Sequence, residues 1–264
     1  MKQVTHPPLL TCNRRRFLAG GAQGVSLAAL GAALGIPASA LAADQGIIGS
    51  GCLTILYQNG DDVHFDYDYY RDNHLTLIMD RYAGSIERFE LRRPVNTEGA
   101  PPPAYVAAVN IWISDAEAFA AAGQANGAEV AADVTNFTNT QLIAQTDTVW
   151  AESGGGLHST EMGQRCLTIL YPREDGATWN ADYYRDGHMP LIMDLYGTRA
   201  IRRFEVRKGP EQGAFMGTVN IYIEDQDAFD AAGAEHTQTL VDDVPNFSSV
   251  FPVVVTTEIF GTGV

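Results

Sequence analysis

The amino-acid sequence contains one long motif twice, which restricts the chain to folds that can be built from two similar halves. The segment YYRDNHLTLIMDRY begins at Tyr69, and the segment YYRDGHMPLIMDLY begins at Tyr183. A CLTILY run and an Arg-Phe-Glu-x-Arg run also occur in each half. The period is far longer than the few tens of residues of a solenoid repeat, so the pattern indicates duplication of a whole domain.

Each half is predicted to fold with the element order β-α-β-β-α-β. Short apolar runs predict the strands, and an apolar period of about 3.6 residues predicts the first helix. In the first half, strands are expected near 52–57, 86–92, 105–113 and 142–150, and helices over 65–82 and 116–122, the second of them after caps at Ser114 and Asp115. This order is typical of a ferredoxin-like unit, whose sheet has helices on one face only.

The bare apolar face of such a sheet must be buried, and the second copy is its simplest partner. The expected fold class is therefore α+β, with two ferredoxin-like βαββαβ repeats packed sheet to sheet as an intramolecular dimeric α/β barrel. Because a linker joins the repeats, dilution does not oppose their association. The chain is expected to be a pseudo-dimer in itself and therefore able to remain monomeric.

The first residues resemble an export signal rather than part of the fold. The run NRRRFL at Asn13 resembles the twin-arginine motif, and a weakly apolar stretch and small-x-small cleavage sites follow it. A membrane anchor is the alternative, but the stretch is short and glycine-rich for one. The predicted segments are a twin-arginine signal peptide at 1–42, repeat 1 at 43–152, a Gly/Ser linker at 153–163 and repeat 2 at 164–264. Export in the folded state, to the periplasm or out of the cell, is expected.

The charge of the chain limits its expected partners. The formal net charge of −15 repels phosphate backbones and anionic lipid surfaces, so neither nucleic acid nor, after signal cleavage, a membrane is expected to bind. A small hydrophobic molecule is the expected partner. Cys52 and Cys166 begin equivalent strands, and they are either a disulfide formed in an oxidising compartment or two small buried apolar residues.

The repeated motifs resemble those of the EthD family, which belongs to the dimeric α/β-barrel superfamily. The best matches are YYRDGHMPL at 183–191 and DVPNF at 243–247, and the first half departs from the pattern at Thr76 and Thr135. The resemblance covers both halves and implies the barrel fold. Members and relatives include lactone isomerases, polyketide cyclases and cofactor-free monooxygenases, so small-molecule chemistry is implied. If one of the two sites is degenerate, we expect it to be the first.

Two tyrosine–histidine pairs are the predicted catalytic residues. His188 follows Tyr184 by one helical turn, and His74 follows Tyr70 in the same way. A histidine on an apolar helix face can exchange protons near neutral pH, and the tyrosine could polarise a carbonyl group. The alternative is a buried structural histidine that bonds a backbone carbonyl and holds the helix to the sheet.

Other side chains are predicted to bind a ligand or to form the core. The predicted ligand-binding residues are His236, Tyr171, Tyr57, Tyr222 and Trp112, with a surface histidine and core aromatic residues as the alternative. Arginines alternate with apolar residues along two predicted strands. If these arginines faced the barrel lumen, they would bind a carboxylate. No metal site is expected from the histidine spacing, and no glycine-rich nucleotide-binding turn follows a strand, so the sequence indicates no cofactor.

The residues and the resemblance together predict an exported barrel protein that binds a small apolar molecule bearing a carbonyl or enol group. Cofactor-free acid–base chemistry or oxidoreductase-type chemistry is expected if the chain is an enzyme, which would make it an EthD-type isomerase, lyase or oxidoreductase. The alternative is a non-catalytic small-molecule-binding module, or an accessory module of a degradation pathway. The motifs alone do not decide between these two classes.

Overall fold

The computed structural model describes residues 47–96, 99, 101–154 and 156–263. The predicted signal peptide, residues 1–42, lies outside the described residues. Within the described ranges, no helix is both long enough and apolar enough to cross a membrane.

The described chain forms eight strands and four helices. The strands are β1 (Gly51–Gln58), β2 (Ile86–Pro94), β3 (Tyr105–Ile113), β4 (Leu142–Gly154), β5 (Arg165–Pro172), β6 (Ile201–Lys208), β7 (Phe215–Ile223) and β8 (Val253–Gly263). Helices α1 and α3 each contain a π-helical turn between two α-helical parts. Their parts are Tyr67–Tyr69, Tyr70–His74 and Leu75–Arg81 in α1, and Ala181–Tyr183, Tyr184–His188 and Met189–Ala200 in α3. The other two helices are α2 (Ala116–Asp133) and α4 (Gln226–Asp243).

Short polar side chains begin all four helices. Asp66, Asp115, Asn180 and Asp225 each accept a hydrogen bond from the backbone N–H three residues later. Such caps satisfy N–H groups that have no partner inside the first turn of a helix. The predicted start of α2 after Asp115 therefore agrees with the structure, but the predicted end at Ala122 is wrong, because the helix continues to Asp133.

The eight strands close into one barrel, in the order β1-β3-β2-β8-β5-β7-β6-β4. The first half contributes β4-β1-β3-β2, and the second half contributes β8-β5-β7-β6. The halves join where β2 pairs antiparallel with β8 and where β4 pairs antiparallel with β6. The predicted α+β class with a closed barrel is confirmed.

An aromatic ring lies between two cations at each seam between the halves. At the β2–β8 seam, the guanidinium carbons of Arg71 and Arg93 lie 5.0 and 4.8 Å from the ring centroid of Phe260. The equivalent residues at the β4–β6 seam are Arg185 and Lys208 on Trp150, at 5.3 and 3.9 Å. Each ring belongs to one half and its cations to the other, so cation–π attraction supplements the strand pairing.

Charged side chains of β2 and β6 fill the barrel lumen. The two sets are Arg88, Glu90 and Arg92, and Arg203, Glu205 and Arg207, all buried. Arg92 donates across the lumen to Asn220 Oδ1 at 2.6 Å and to the Tyr222 hydroxyl at 2.7 Å. Arg207 crosses in the opposite direction and donates to Asn110 Oδ1 at 2.9 Å. These reciprocal bonds link the two halves through the interior of the barrel.

The lumen contains a small cavity at its apolar end. A cavity of about 10 Å³ lies near Leu56, Tyr105 and Thr168, which is room for about one water molecule. Cys52 and Cys166 are buried in the lumen as free thiols. Their surroundings are polar, because Arg207 and Arg92 donate to their sulfur atoms. Of the two alternatives for these cysteines, the unpaired buried form is the one observed.

The second half carries a larger ring than the first at one position under its helices. Trp179 pairs with Ser248 in an isolated β-bridge, and Phe65 makes the equivalent bridge with Thr138 in the first half. A methyl group built on Gly217 would lie 2.5 Å from the nearest carbon of the Trp179 ring. The first half has Ala107 at the position of Gly217 in the strand pairing. The Trp179 ring therefore fits at this position only because Gly217 has no side chain.

We predict that Gly217→Ala lowers the free energy of unfolding by about 1–3 kcal/mol, because the new methyl group overpacks the site. Adding Trp179→Phe to that variant restores most of the loss, since the pair then matches the first half. Equilibrium denaturant unfolding measures both changes. Gly127→Ala in α2 is the control, because its methyl group meets nothing within 4 Å; equal losses in both single variants would contradict the packing argument.

A second prediction concerns the lumen carboxylates. Glu205 lies 3.1 Å from a nitrogen of Arg203 and 3.1 Å from a nitrogen of Arg207, and it accepts from Trp112 Nε1 at 2.9 Å. Glu205→Gln leaves two buried guanidinium groups without their carboxylate, and we expect it to cost about 3–5 kcal/mol of unfolding free energy. Glu129→Gln removes the carboxylate of an exposed pair with Arg81 and is expected to cost less than about 1 kcal/mol. Similar losses in these two variants would refute the prediction.

Candidate functional site

The two predicted catalytic histidines lie in equivalent π-helical turns. His74 ends the π-helical turn of α1, and His188 ends that of α3. A π-helical turn inside an α-helix is rare, and such turns are frequent at functional sites. The repeated YYRDxH motif therefore has a distinct backbone conformation as well as a distinct composition.

Each histidine is held by an aspartate at the end of the following helix. His74 Nδ1 lies 2.8 Å from Asp133 Oδ2, and His188 Nδ1 lies 2.7 Å from Asp243 Oδ2. The alternative with a backbone carbonyl partner is therefore wrong, since the partner is a carboxylate. The aspartates belong to the repeated Asp-Val-x-Asn-Phe motif, whose recurrence was the only sequence signal for them.

A second hydrogen-bonding layer fixes each aspartate. Asp133 Oδ1 accepts from the Tyr69 hydroxyl at 2.9 Å and from Asn136 Nδ2 at 2.7 Å. In the second half, Asp243 accepts from Tyr183 and Asn246 at 2.9 and 2.8 Å. Both tyrosines precede the predicted catalytic tyrosine by one residue. The sequence prediction therefore identified the motif but not the tyrosine that contacts the aspartate.

Burial and hydrogen bonding define the protonation state of each pair. Burial lowers the pKa of His74 and of His188, although the aspartate partner acts in the opposite direction. Burial alone would raise the pKa of Asp133, but the hydrogen bonds from His74, Asn136 and Tyr69 outweigh it and lower that pKa. A neutral imidazole beside an ionised carboxylate must donate from Nδ1, which leaves the lone pair on Nε2 available as a base.

Aromatic rings enclose the other side of each imidazole. The ring centroids of Tyr70 and Phe137 lie 4.9 and 4.7 Å from that of His74, and Tyr57 packs edge-on against Tyr70. The Tyr70 hydroxyl is buried without a well-aligned hydrogen-bond partner among the described residues. Burial also raises the pKa of Tyr70 well above its usual range, so the hydroxyl keeps its proton.

The second half repeats this arrangement. Tyr184 and Phe247 lie 4.9 and 4.6 Å from His188, and Tyr171 packs edge-on against Tyr184. The Tyr184 hydroxyl, like that of Tyr70, has no well-aligned partner in the described part of the chain. The departures at Thr76 and Thr135 leave the first His–Asp pair intact, so the structure gives no sign that the first site is the degenerate one.

The structure separates the predicted ligand-binding residues into three places. Tyr57 and Tyr171 lie beside the histidines, as a shared site requires. Tyr222 and Trp112 instead contact the lumen carboxylates Glu90 and Glu205, on the opposite face of the sheets. Tyr222 and Trp112 therefore cannot share one pocket with Tyr57 and Tyr171, because the alternation of a strand sends their side chains to the other face.

The last predicted ligand residue lies on a helix surface. His236 is on α4, and its Nε2 lies 3.8 Å from a carboxylate oxygen of Glu235. The described contacts do not join it to His188, so a surface histidine is the observed form. Across the described ranges, no group of three or more His, Cys, Asp or Glu side chains is arranged to hold a metal ion.

Comparison with solved structures finds barrels of similar fold. A structure described as an anthrone oxidase-like protein is 14% identical, covers 81% of this chain and 93% of its own, and has a TM-score of 0.52. A putative monooxygenase from Fusobacterium nucleatum is 7% identical over 81% of this chain and 94% of its own, also with a TM-score of 0.52. An EthD-like protein from Ralstonia eutropha JMP134 is 25% identical over 37% of this chain and 93% of its own, with a TM-score of 0.34.

Comparison at the sequence level identifies one informative relative. No protein-family model matches the sequence. The uncharacterized 11.0 kDa protein of the thcB–thcC intergenic region of Rhodococcus erythropolis is 34% identical over 101 residues, which are 37% of this chain and 95% of that protein. The matched segment is thus nearly the whole relative but less than half of this chain. This chain belongs to the same protein family as that 11.0 kDa protein of Rhodococcus erythropolis.

Proposed function

We propose that this protein is an enzyme that carries out acid–base chemistry on a small apolar molecule bearing a carbonyl or enol group. The observation that carries the proposal is the repeated contact between Nδ1 of a buried histidine and an aspartate carboxyl group, His74–Asp133 and His188–Asp243. Such a pair leaves Nε2 as a base, and the aspartate stabilises the imidazolium that forms when Nε2 takes a proton. The buried hydroxyl of Tyr70 or Tyr184 supplies a neutral donor beside it.

The simplest reaction for this arrangement is isomerisation through an enol. Nε2 of His188 removes the proton on the carbon next to the carbonyl group, and the electron pair of that bond moves toward the carbonyl oxygen. The hydroxyl of Tyr184 donates to this oxygen as its negative charge grows. Return of the proton from His188 to another atom of the enol completes the reaction, so no oxidant or reductant is consumed.

Access to the histidines sets a condition on this mechanism. The side chains of His74 and His188 are 3% and 5% exposed, whereas their aspartates are 16% and 13% exposed. The aspartates therefore lie nearer the solvent, and the aromatic rings cover the imidazoles. A substrate must separate the helices from the sheet at these rings, so we infer that helix movement accompanies binding.

The remaining parts of the proposal concern architecture and location. We infer that the chain is a tandem duplication of a ferredoxin-like EthD repeat, supported by the equivalent strand orders of the halves and by the 11.0 kDa relative, 95% of which aligns with only 37% of this chain. The predicted segment boundaries and a monomeric state are part of this proposal. Export by the twin-arginine route is supported by the NRRRFL run at Asn13.

A binding or accessory role is the second candidate function. The observation that favours it is the near-complete burial of both histidines, which a structural His–Asp pair would also produce. Such a protein would bind a small hydrophobic molecule without converting it. Turnover that depends on the histidines separates the two candidates.

The first test compares two substitutions of each histidine. An asparagine places its amide nitrogen near the position of Nδ1 and keeps a donor for the aspartate, whereas a glutamine places its amide near Nε2 and loses that bond. Both His74→Asn/His188→Asn and His74→Gln/His188→Gln remove the base, so each should reduce turnover at least about 100-fold. Deuterium incorporation from D₂O into a panel of small apolar ketones, followed by NMR, measures that turnover.

Unfolding free energies and a surface control complete this test. The glutamine variant leaves the buried aspartates without a donor and should lose about 1–3 kcal/mol per site, more than the asparagine variant. His158→Gln, at an exposed histidine bonded to Glu87, should change neither property. Wild-type protein that incorporates no more deuterium than the asparagine variant would exclude the enzyme proposal for this class of molecule.

The dependence of stability on pH provides a further prediction. Folding lowers the pKa of both histidines and of both aspartates. The unfolded chain therefore binds more protons than the folded chain once the pH falls below about 6.5, the ordinary histidine value. The contribution of these pairs to the unfolding free energy is present above that pH and is lost as the pH decreases. Urea unfolding between pH 8 and pH 5 should show that the unfolding free energy falls less steeply with pH in His74→Asn/His188→Asn than in the wild type. The same dependence on pH in both proteins would contradict the assignment of neutral histidines.

A further inference from the structure

Two equivalent arginines meet one short segment of the linker at an end of the barrel. This plug segment, Gly156–Thr160, contains a 3₁₀ turn. Arg88 Nη2 donates to the carbonyl oxygen of Thr160 at 2.8 Å. Arg203 Nη1 donates to the carbonyl oxygen of Gly156 at 3.0 Å and lies 3.4 Å from the Thr160 hydroxyl. Arg88 and Arg203 occupy equivalent positions in the two repeats, so the plug segment contacts the same arginine of each half.

An apolar side chain anchors the plug segment in the barrel. Leu157 is buried and packs with Cys52, Trp112 and Val149 at the end of the lumen. Gly156 has a φ of 75°, a backbone conformation that favours glycine. The predicted flexible Gly/Ser linker therefore includes a part that packs into the barrel.

The two outermost arginines are incompletely paired beneath the plug segment. The lumen buries Arg88, Arg92, Arg203 and Arg207 with the carboxyl groups of Glu90, Glu205 and Asp147, and the half-buried Glu152 acts on Arg203 from the neighbouring strand. The hydrogen-bond acceptors that the plug segment offers to Arg88 and Arg203 are all uncharged oxygen atoms. Arg88 Nε is 3.7 Å from the nearest oxygen of Glu90, and the Nε atoms of Arg88 and Arg203 have no well-aligned hydrogen-bond partner among the described residues.

A carboxylate satisfies such a pair of guanidinium groups better than main-chain oxygens do. Its two oxygens match the fork of an arginine, and hydrogen bonds between ionised groups are about twice as strong as neutral ones. Only a small anion is compatible with this place, because side chains fill the lumen below it.

We propose that Arg88 and Arg203 form a binding site for a small carboxylate, and that the plug segment occupies this site until the carboxylate displaces it. The site lies at the barrel end where β1 begins. Tyr57, at the other end of β1, packs in the ring cluster of His74. The carboxylate site and the His–Asp pairs are therefore separate, and the inference goes beyond the proposed acid–base function.

The test is a titration of the full chain with acetate at constant ionic strength, followed by isothermal calorimetry. Acetamide, which has a similar shape but no charge, is the matched ligand control. Leu157→Gly removes the anchor of the plug segment without changing an arginine. We expect this variant to bind acetate at least about tenfold more tightly than the wild type, because the plug competes less well.

Substitutions of the arginines test the other half of the proposal. Arg88→Lys and Arg203→Lys keep the charge but lose the fork, and we expect each to weaken acetate binding in the Leu157→Gly background. Val255→Ala, a truncation at the opposite end of the lumen, should leave acetate binding unchanged. His74→Asn/His188→Asn should also bind acetate like the wild type. A failure of the acid–base proposal is therefore distinguishable from a failure of the carboxylate site.

Three results would overturn the proposal. The first is an absence of acetate binding in the Leu157→Gly variant, and the second is equal binding of acetate by that variant and the wild type. The third is equal binding of acetamide and acetate. A neutral replacement of a buried arginine can prevent folding. The lysine variants avoid this problem because they retain the buried charge.

Discussion

The interior of this barrel depends on two buried carboxylates. Glu90 lies among arginines of both halves, and Glu205 lies between Arg203 and Arg207 of its own strand. A buried guanidinium group without an anion is strongly destabilising, so these carboxylates allow four arginines to remain inside. The arginines then reach across the lumen and fill it. Within the described residues, the space between the sheets is therefore occupied by protein, and the repeated histidines lie on the opposite faces of the sheets, beneath the helices.

This division gives the two faces of each sheet different roles. The inner faces hold the halves together through polar contacts that are reciprocal, since Arg92 bonds residues of the second half and Arg207 bonds residues of the first. The outer faces carry the aromatic clusters that surround His74 and His188. Each half thus contains its own complete His–Asp pair, and neither pair needs a residue from the other half.

The general architecture could be predicted from the sequence, because a repeated pattern of strands and helices leaves few ways to bury two bare sheets. The inward orientation of the arginines could not, since alternation along a strand defines two faces without showing which one is inside. The aspartate partners were also missed. Asp133 is 59 residues from His74, and only the path of the helix brings its carboxylate to the imidazole. The lumen position of Tyr222 and Trp112 could not be predicted for the same reason.

The position of the last strand has a consequence for how the chain reaches its native state. β8 closes the barrel by pairing with β2, and Glu258 on β8 contacts Arg93 on β2. These contacts join distant parts of the chain, and the loop-closure entropy of such pairings slows folding. A ribosome must release all eight strands before the barrel can close. For a chain proposed to leave the cytoplasm folded, the time needed for barrel closure is therefore a lower limit on the delay between synthesis of β8 and export.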